Sequence, residues 1–131
     1  MNGNKALLDS NVIIFASKQQ IDIQGLLDRY DHFYTSIITY VETYGYNFKS
    51  EIEKELIDEL FSNLTIIEVS KDIAEQAILY RKNGKKKIKI PDALILATAK
   101  YLGADIITDD WDDFEGIDET VSIIKIDDLK I

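Results

Sequence analysis

"KALLDSNVIIFASK", residues 5–18, reads as a short buried strand stopped by an aspartate and followed at once by a helix. The apolar run "ALL" is too short for a helix and lacks the alternation of a half-exposed strand, so it fits a strand covered on both faces. Asp9 ends it, and "NVIIFASK" carries on as a short helix.

The same unit recurs downstream. "DIQGLLDRY" reads as a helix and "HFYTSI" as a second strand, and "TSIITYVETYGYNF" continues as a helix. "SEIEKELIDELFSN" is a clearer helix. Ser50 stands where a cap belongs, Glu53 lies three residues on, and Ile52, Leu56 and Leu60 recur every fourth residue. "LTIIEV" is a third strand. "SKDIAEQAILYRKN" is a helix closed by Gly84, and "PDALILATAKYLG" is a helix opened by Pro91 at its first position and closed by Gly103. "ADIITDD" and "VSIIKI" supply a fourth and a fifth strand.

Alternating strands and helices imply parallel strands with helices on both faces. The expected architecture is a three-layer α/β/α sandwich around a mostly parallel sheet of about five strands. With no repeat, low-complexity tract or linker to divide it, residues 1–131 read as a single domain. In such sheets a site forms beyond the carboxyl ends of the strands, where strand order reverses.

Composition narrows the chemistry. With 46% apolar and 30% charged residues the chain is globular in type. It has no cysteine, which excludes a disulfide scaffold, a thiol nucleophile and thiolate metal sites, and fits a reducing compartment. Cytosol is the expectation, since "MNGNKALLDSNVIIF" has neither a basic leader nor a long apolar stretch. The net charge of -9 opposes a polyanionic ligand. Residues 105–131, however, hold ten acids against two lysines, while residues 1–104 are nearly balanced. "RKNGKKKIK", residues 81–89, carries six cations. Lys85, Lys86 and Lys87 are therefore candidates for steering a phosphate backbone.

Four acids fall at the predicted carboxyl edge of the sheet: Asp9 after the first strand, Glu42 two turns beyond the second, Asp92 at the mouth of an apolar helix, and Asp110 after the fourth strand. Each alone has a plain structural use as a helix cap or a solvated charge. Together they would repel one another, a cost without a cation. Oxygen donors without histidine or cysteine suit Mg2+ or Mn2+. Such ions polarise phosphoryl oxygens and activate water, so phosphodiester hydrolysis fits. His32 is the chain's one histidine, too little for a Ser-His-Asp or histidine-zinc site, and neither GxxxxGK[ST] nor GxGxxG occurs.

"LLDSNVII", "TSIITYVETYGY", "IPDALILATA" and "LGADIITDDWDDF", in that order, resemble the PIN-domain ribonucleases, particularly VapC-type toxins of toxin-antitoxin pairs. The resemblance spans nearly the whole chain. It implies a small α/β/α endoribonuclease using Mg2+ or Mn2+ held by an acidic quartet, with Asp9, Glu42, Asp92 and Asp110 matching the four acids. It also implies supporting roles for Asp113, Thr108 and Asn11, a homodimer, and a small antitoxin whose C-terminal segment fills a groove. The "TDDWDDF" loop is more acidic than the family pattern, which leaves Asp110 and Asp113 both open as the fourth acid.

Two other classes compete. A haloacid-dehalogenase-like phosphatase would need a general acid where Asn11 stands, and an amide cannot shuttle protons. A receiver domain needs a phosphorylatable aspartate after the third strand, where Glu68, Val69 and Ser70 lie. A PIN fold retained only for binding would leave the cost of its clustered acids without a use.

Overall fold

The computed structural model describes residues 4–131; Met1, Asn2 and Gly3, part of the stretch read above for a leader, lie outside them. In chain order the elements are β1 (Lys5–Leu8), α1 (Ser10–Ser17), α2 (Ile23–Leu27), β2 (His32–Ser36), α3 (Ile37–Tyr44), α4 (Glu51–Ser62), β3 (Thr65–Ile67), α5 (Lys71–Asn83), α6 (Ile90–Leu102), β4 (Asp105–Thr108), α7 (Trp111–Phe114) and β5 (Ile123–Lys125). All strand pairs are parallel, in the order β3-β2-β1-β4-β5. The expected α/β/α architecture is observed, with a sheet that is wholly rather than mostly parallel. Strand order reverses between β1 and β4. A receiver-type sheet, ordered 2-1-3-4-5, is a different topology.

Side chains alternate across the sheet as the strand period requires. Leu7 and Ile106, paired in register, face one layer with Ile73, Ala77, Tyr80, Ala93 and Leu96. Ala6, Leu8 and Ile107 face the other, with Val12, Ile13, Leu26, Ile57 and Phe61. The helix α6 is buried nearly all round, and Ala93, Ala97 and Ala99 on it are at most 1% exposed. Small side chains let α5 pack close to it.

Four local expectations need correction. The helix read over "TSIITYVETYGYNF" is α3, which stops at Tyr44 with Gly45 as its cap and does not run on to Phe48. On α4 the buried face is Ile57 and Phe61, while Ile52 is 69% exposed. The predicted cap is right, since Ser50 Oγ accepts from the Glu53 N–H at 3.2 Å, but the Glu53 carboxylate reaches back to the Lys49 N–H and not to that of Ser50. Pro91 is the second residue of α6, not the first. Gly103 closes α6 in the left-handed region (φ 68°), as its place predicts. Gly84 ends α5 in extended backbone; glycine is required there because a Cβ would meet the Tyr80 carbonyl oxygen at 2.5 Å.

In the segment before β5, Asp118 ties α5 and α6 together. The Asp118 carboxylate, its side chain 9% exposed, accepts from the Tyr80 hydroxyl on α5 (2.5 Å) and from the Thr120 hydroxyl and backbone N–H (2.6 and 2.9 Å), and pairs with Lys100 on α6 (3.2 Å). Burial alone would raise its pKa, but these donors together bring it down to about 2 from 3.8. A depressed folded-state pKa contributes stability above the unfolded value and loses it as pH falls through the folded one. Asp118→Asn is therefore expected to destabilise the fold by about 2 kcal/mol at pH 7. The gap from wild type should close between about pH 4 and pH 2, which urea unfolding at several pH values will measure.

Candidate active site

At the reversal point, β1 and β4 end side by side and deliver Asp9 and Thr108–Asp110 to one edge. The Asp9 N–H donates to the Ile107 carbonyl (3.0 Å), carrying the ladder one residue beyond β1 and fixing the backbone beneath the carboxylate. Asp9 is 7% exposed. Its Oδ1 accepts from the Ser10 N–H at 2.8 Å, so it does cap α1. Its Oδ2 accepts from the Thr108 hydroxyl (2.9 Å) and from Asn11 Nδ2 (3.4 Å).

Thr108 and Asn11 lash the two strand ends together. The fully buried Thr108 Oγ1 also accepts the Asp110 N–H at 2.9 Å. Asn11 Nδ2 donates to Asp110 Oδ2 (2.9 Å), and its Oδ1 accepts the Asp109 N–H (3.0 Å). This sorts the adjacent acids: Asp110 faces Asp9, whereas Asp109 is drawn to Lys130 at 2.7 Å.

The other two acids come from helices. Ser36 caps α3 through the Ile38 N–H (3.1 Å), and the Thr35 hydroxyl donates to the Leu8 carbonyl (3.0 Å), so α3 is set against the end of β1. Thr39 and Thr43 turn into the fold and Glu42 lies exposed at the rim. Asp92, half-buried in the first turn of α6, caps nothing, because α6 has no side-chain cap and its N-cap residue is Lys89.

Asp9, Glu42, Asp92, Asp110 and Asp113 line one cleft of about 220 Å³, with Ser10, Pro91 and Lys89. Asp9 is its buried floor; Glu42, Asp110 and Asp113 are its exposed rim. Burial, then the neighbouring charges of Asp113, Asp9 and Glu42, push the Asp92 pKa up to about 6, against a smaller downward pull from Lys89. Burial raises Asp9 despite the Thr108 and Ser10 hydrogen bonds, with Asp110 and Asp113 adding to the rise; partial loss of solvent at the rim, then the Asp9 charge, raises Glu42. These carboxylates stand in one another's field without an equal complement of cations. Among the described residues no three acids already hold the arrangement that would grip a metal ion. The donor set nevertheless fits a hard divalent cation: every acid offers oxygen, and the mutual repulsion is the kind a cation relieves.

The sequence profile of the PIN domain matches residues 6–120. The chain belongs to the PIN domain family. This PIN domain is similar in structure to a toxin-antitoxin complex from Klebsiella pneumoniae, with 29% identity over 88% of this chain and 94% of that chain and a TM-score of 0.67. It is also similar to VapBC2 from Rickettsia felis bound to a promoter DNA fragment (23% identity, 94% and 99% covered, TM-score 0.75). DNA-bound VapBC from Salmonella typhimurium aligns likewise (24% identity, 93% and 98% covered, TM-score 0.71). No curated protein matches it significantly.

The predicted site residues divide into those brought together and those not. Asp9, Glu42, Asp92, Asp110 and Asp113 share the cleft, with Asn11 and Thr108 bonded to its acids. Both candidates for the fourth acid, Asp110 and Asp113, line it. Lys85, Lys86 and Lys87 are not among its lining residues. Lys86 is instead tied to the Asp112 carbonyl, 3.9 Å from Glu115. The lining cation is Lys89, which belongs to the same basic run and sits three residues before Asp92. His32 opens β2, exposed at the opposite end of the strand.

Proposed function

We propose that this PIN domain is a Mg2+- or Mn2+-dependent endoribonuclease and the toxin of a toxin-antitoxin pair. The observation that carries the reading is the convergence of Asp9, Glu42, Asp92, Asp110 and Asp113 on one cleft at the reversal of strand order. Asp9 and Asp92 would hold the ion most directly, with Glu42 and Asp110 or Asp113 completing the set from the rim. The bound ion would supply Lewis acidity at the phosphoryl oxygen and a water made acidic enough to attack. The chain's own part is positioning. Thr108 and Asn11 hold the Asp9 and Asp110 carboxylates in place, and the buried body of α6 keeps Asp92 from drifting.

The partner reading rests on a second, chemically different surface. An apolar groove of about 370 Å³ runs between α1, α2 and α4, lined by Leu8, Val12, Ile13, Leu26, Phe33 and Leu60 among others. Leu8, which lines it, is the residue before Asp9 of the cleft. An amphipathic antitoxin segment would bury apolar side chains there while its chain passed the cleft. A homodimer is the proposed assembly. Val41 on α3 and Ile78 and Leu79 on α5 are each at least half exposed, apolar surface that a second copy would cover.

The expected result with purified protein and a panel of single-stranded and hairpin RNAs is cleavage in Mg2+ or Mn2+ that stops in EDTA and returns when the ion is restored. Cleavage persisting in EDTA would remove the metal from the reading. Intact RNA under every ion would remove the nuclease.

A further inference from the structure

Lys89 stands where its charge opposes the use proposed for the cleft. It lines the cavity with five carboxylates, and an ammonium there repels the divalent ion those acids would hold. Ion pairing with the protein does not account for it. Five carboxylates line the cleft with it, yet among the described residues none lies within 4 Å of its ammonium, the distance at which Lys86, Lys100 and Lys130 reach theirs. Its backbone is firmly set. The Lys89 carbonyl accepts the Ala93 N–H at 2.9 Å, Ile88 before it is 6% exposed, and Pro91 follows in the first turn of α6. The side chain itself is exposed. An anchored root with an unengaged, solvated head leaves the ammonium available to something that enters the cleft.

What enters must tolerate the acids. A phosphodiester is an anion approaching five carboxylates, and one divalent ion leaves that surface negative. A point cation on the same wall would neutralise a non-bridging oxygen that the ion does not reach, the role for which lysine's compact charge is suited. We infer that Lys89 binds the backbone phosphate of the substrate RNA within the acidic cleft, acting as a substrate-positioning cation beside the carboxylates. The inference rests on the nuclease reading above and deepens it. It also differs from steering by Lys85, Lys86 and Lys87, which would act outside the cleft.

The test compares Lys89→Ala, Lys89→Arg and Lys87→Ala with wild type. Steady-state cleavage of a single-stranded RNA in Mn2+ is expected to lose about ten- to a hundred-fold in kcat/KM in Lys89→Ala, the worth of one charge-assisted hydrogen bond. The loss should fall mainly in KM, and Lys89→Arg should recover most of it. The slope of log(kcat/KM) against log[salt] should flatten by about 0.7 to 1, one phosphate contact. Lys87→Ala should show less than half the loss. A second readout needs no turnover: Mn2+ titrated into RNA-free protein should bind Lys89→Ala at least as tightly as wild type, because a repelling charge is gone. Weaker Mn2+ binding in that variant would make Lys89 a support for the acids and overturn the inference. So would an unchanged kcat/KM and salt slope. As Lys89 is exposed, melting should stay close to wild type; were the alanine variant to misfold, Lys89→Gln answers the same questions. Wild type inert toward RNA would sink the nuclease reading itself, whereas active wild type with an indifferent Lys89→Ala would sink only this inference.

Discussion

Asp92→Asn is expected to lower metal-dependent RNA cleavage by at least about 10² to 10³-fold, as removal of one preorganised charge-stabilising group does elsewhere. The same variant should be more stable than wild type when metal is absent. Asp92 is half-buried on α6 and faces Asp113, Asp9 and Glu42, so at pH 7 the fold holds a carboxylate whose pKa has been pushed up to about 6. A carboxyl with a raised folded-state pKa contributes its full stability below the unfolded value of 3.8 and loses it as pH rises through about 6. Asparagine has no charge to lose. The variant's advantage should thus be absent near pH 4, grow between pH 4 and 6, and level off above, at about 1–3 kcal/mol, solvent screening favouring the lower end. Thermal melts in EDTA across that range will measure it. Adding Mn2+ should reverse the order, since binding to the folded state stabilises wild type by mass action and the variant much less. A variant that still cleaves RNA, or that is less stable in EDTA at pH 7, contradicts the role given to Asp92.

That variant also separates what the residues announce from what they conceal. Asp9 could be placed from sequence because a short apolar run ending in an acid fixes a strand end, and parallel strands bring such ends, including that of β4 with its Asp109–Asp110 pair, to one edge. Asp92 followed from the helix whose first turn it occupies. The sorting within "TDDWDDF" is not a local matter. Asp109 turns away because Lys130, 21 residues later in the chain, pairs with it, and Asp113 faces the cleft through the first turn of α7. Lys89 was hidden for a similar reason. Six cations crowd the basic run, and only the start of α6 at Ile90 decides which of them lines the cleft with the acids. On α4, Ile52 fits the apolar period as well as Leu56 and Leu60 do, yet the sheet is reached by Ile57 and Phe61 and the first turn is left in solvent. Periodicity identifies the apolar stripe of a helix; the sheet's extent decides how much of it is covered.

Phe114→Ala should bring the largest loss of stability, about 3–5 kcal/mol, as truncating a buried phenylalanine does when the surroundings cannot collapse into the space. Phe114 is 1% exposed and packs in the layer containing Leu7, Ile106, Ala93 and Val121. It is the last residue of α7, a helix of four residues with no side-chain cap at its start. So short a helix cannot sustain itself by its own hydrogen bonds; it persists because this ring holds it to α6 and β5, the elements it contacts. With total stability of about 5–15 kcal/mol, the variant should fold at low temperature and melt about 10–20 °C below wild type. The loss should also be local. Asp113 precedes Phe114 directly and Asp110 precedes α7, so loosening this turn disperses the rim of the acidic cleft while Asp9 and Asp92 stay fixed by β1 and α6. Trp111, the chain's one tryptophan, lies in the same turn and reports on it. Its emission should shift to the red below the melting transition in Phe114→Ala, and cleavage should fall further than the folded fraction does. Phe114→Leu, which keeps a large apolar plug, should suffer less on both counts. Melting within about 3 °C of wild type for the alanine variant, with unshifted emission, would mean that α7 is held by something other than this side chain.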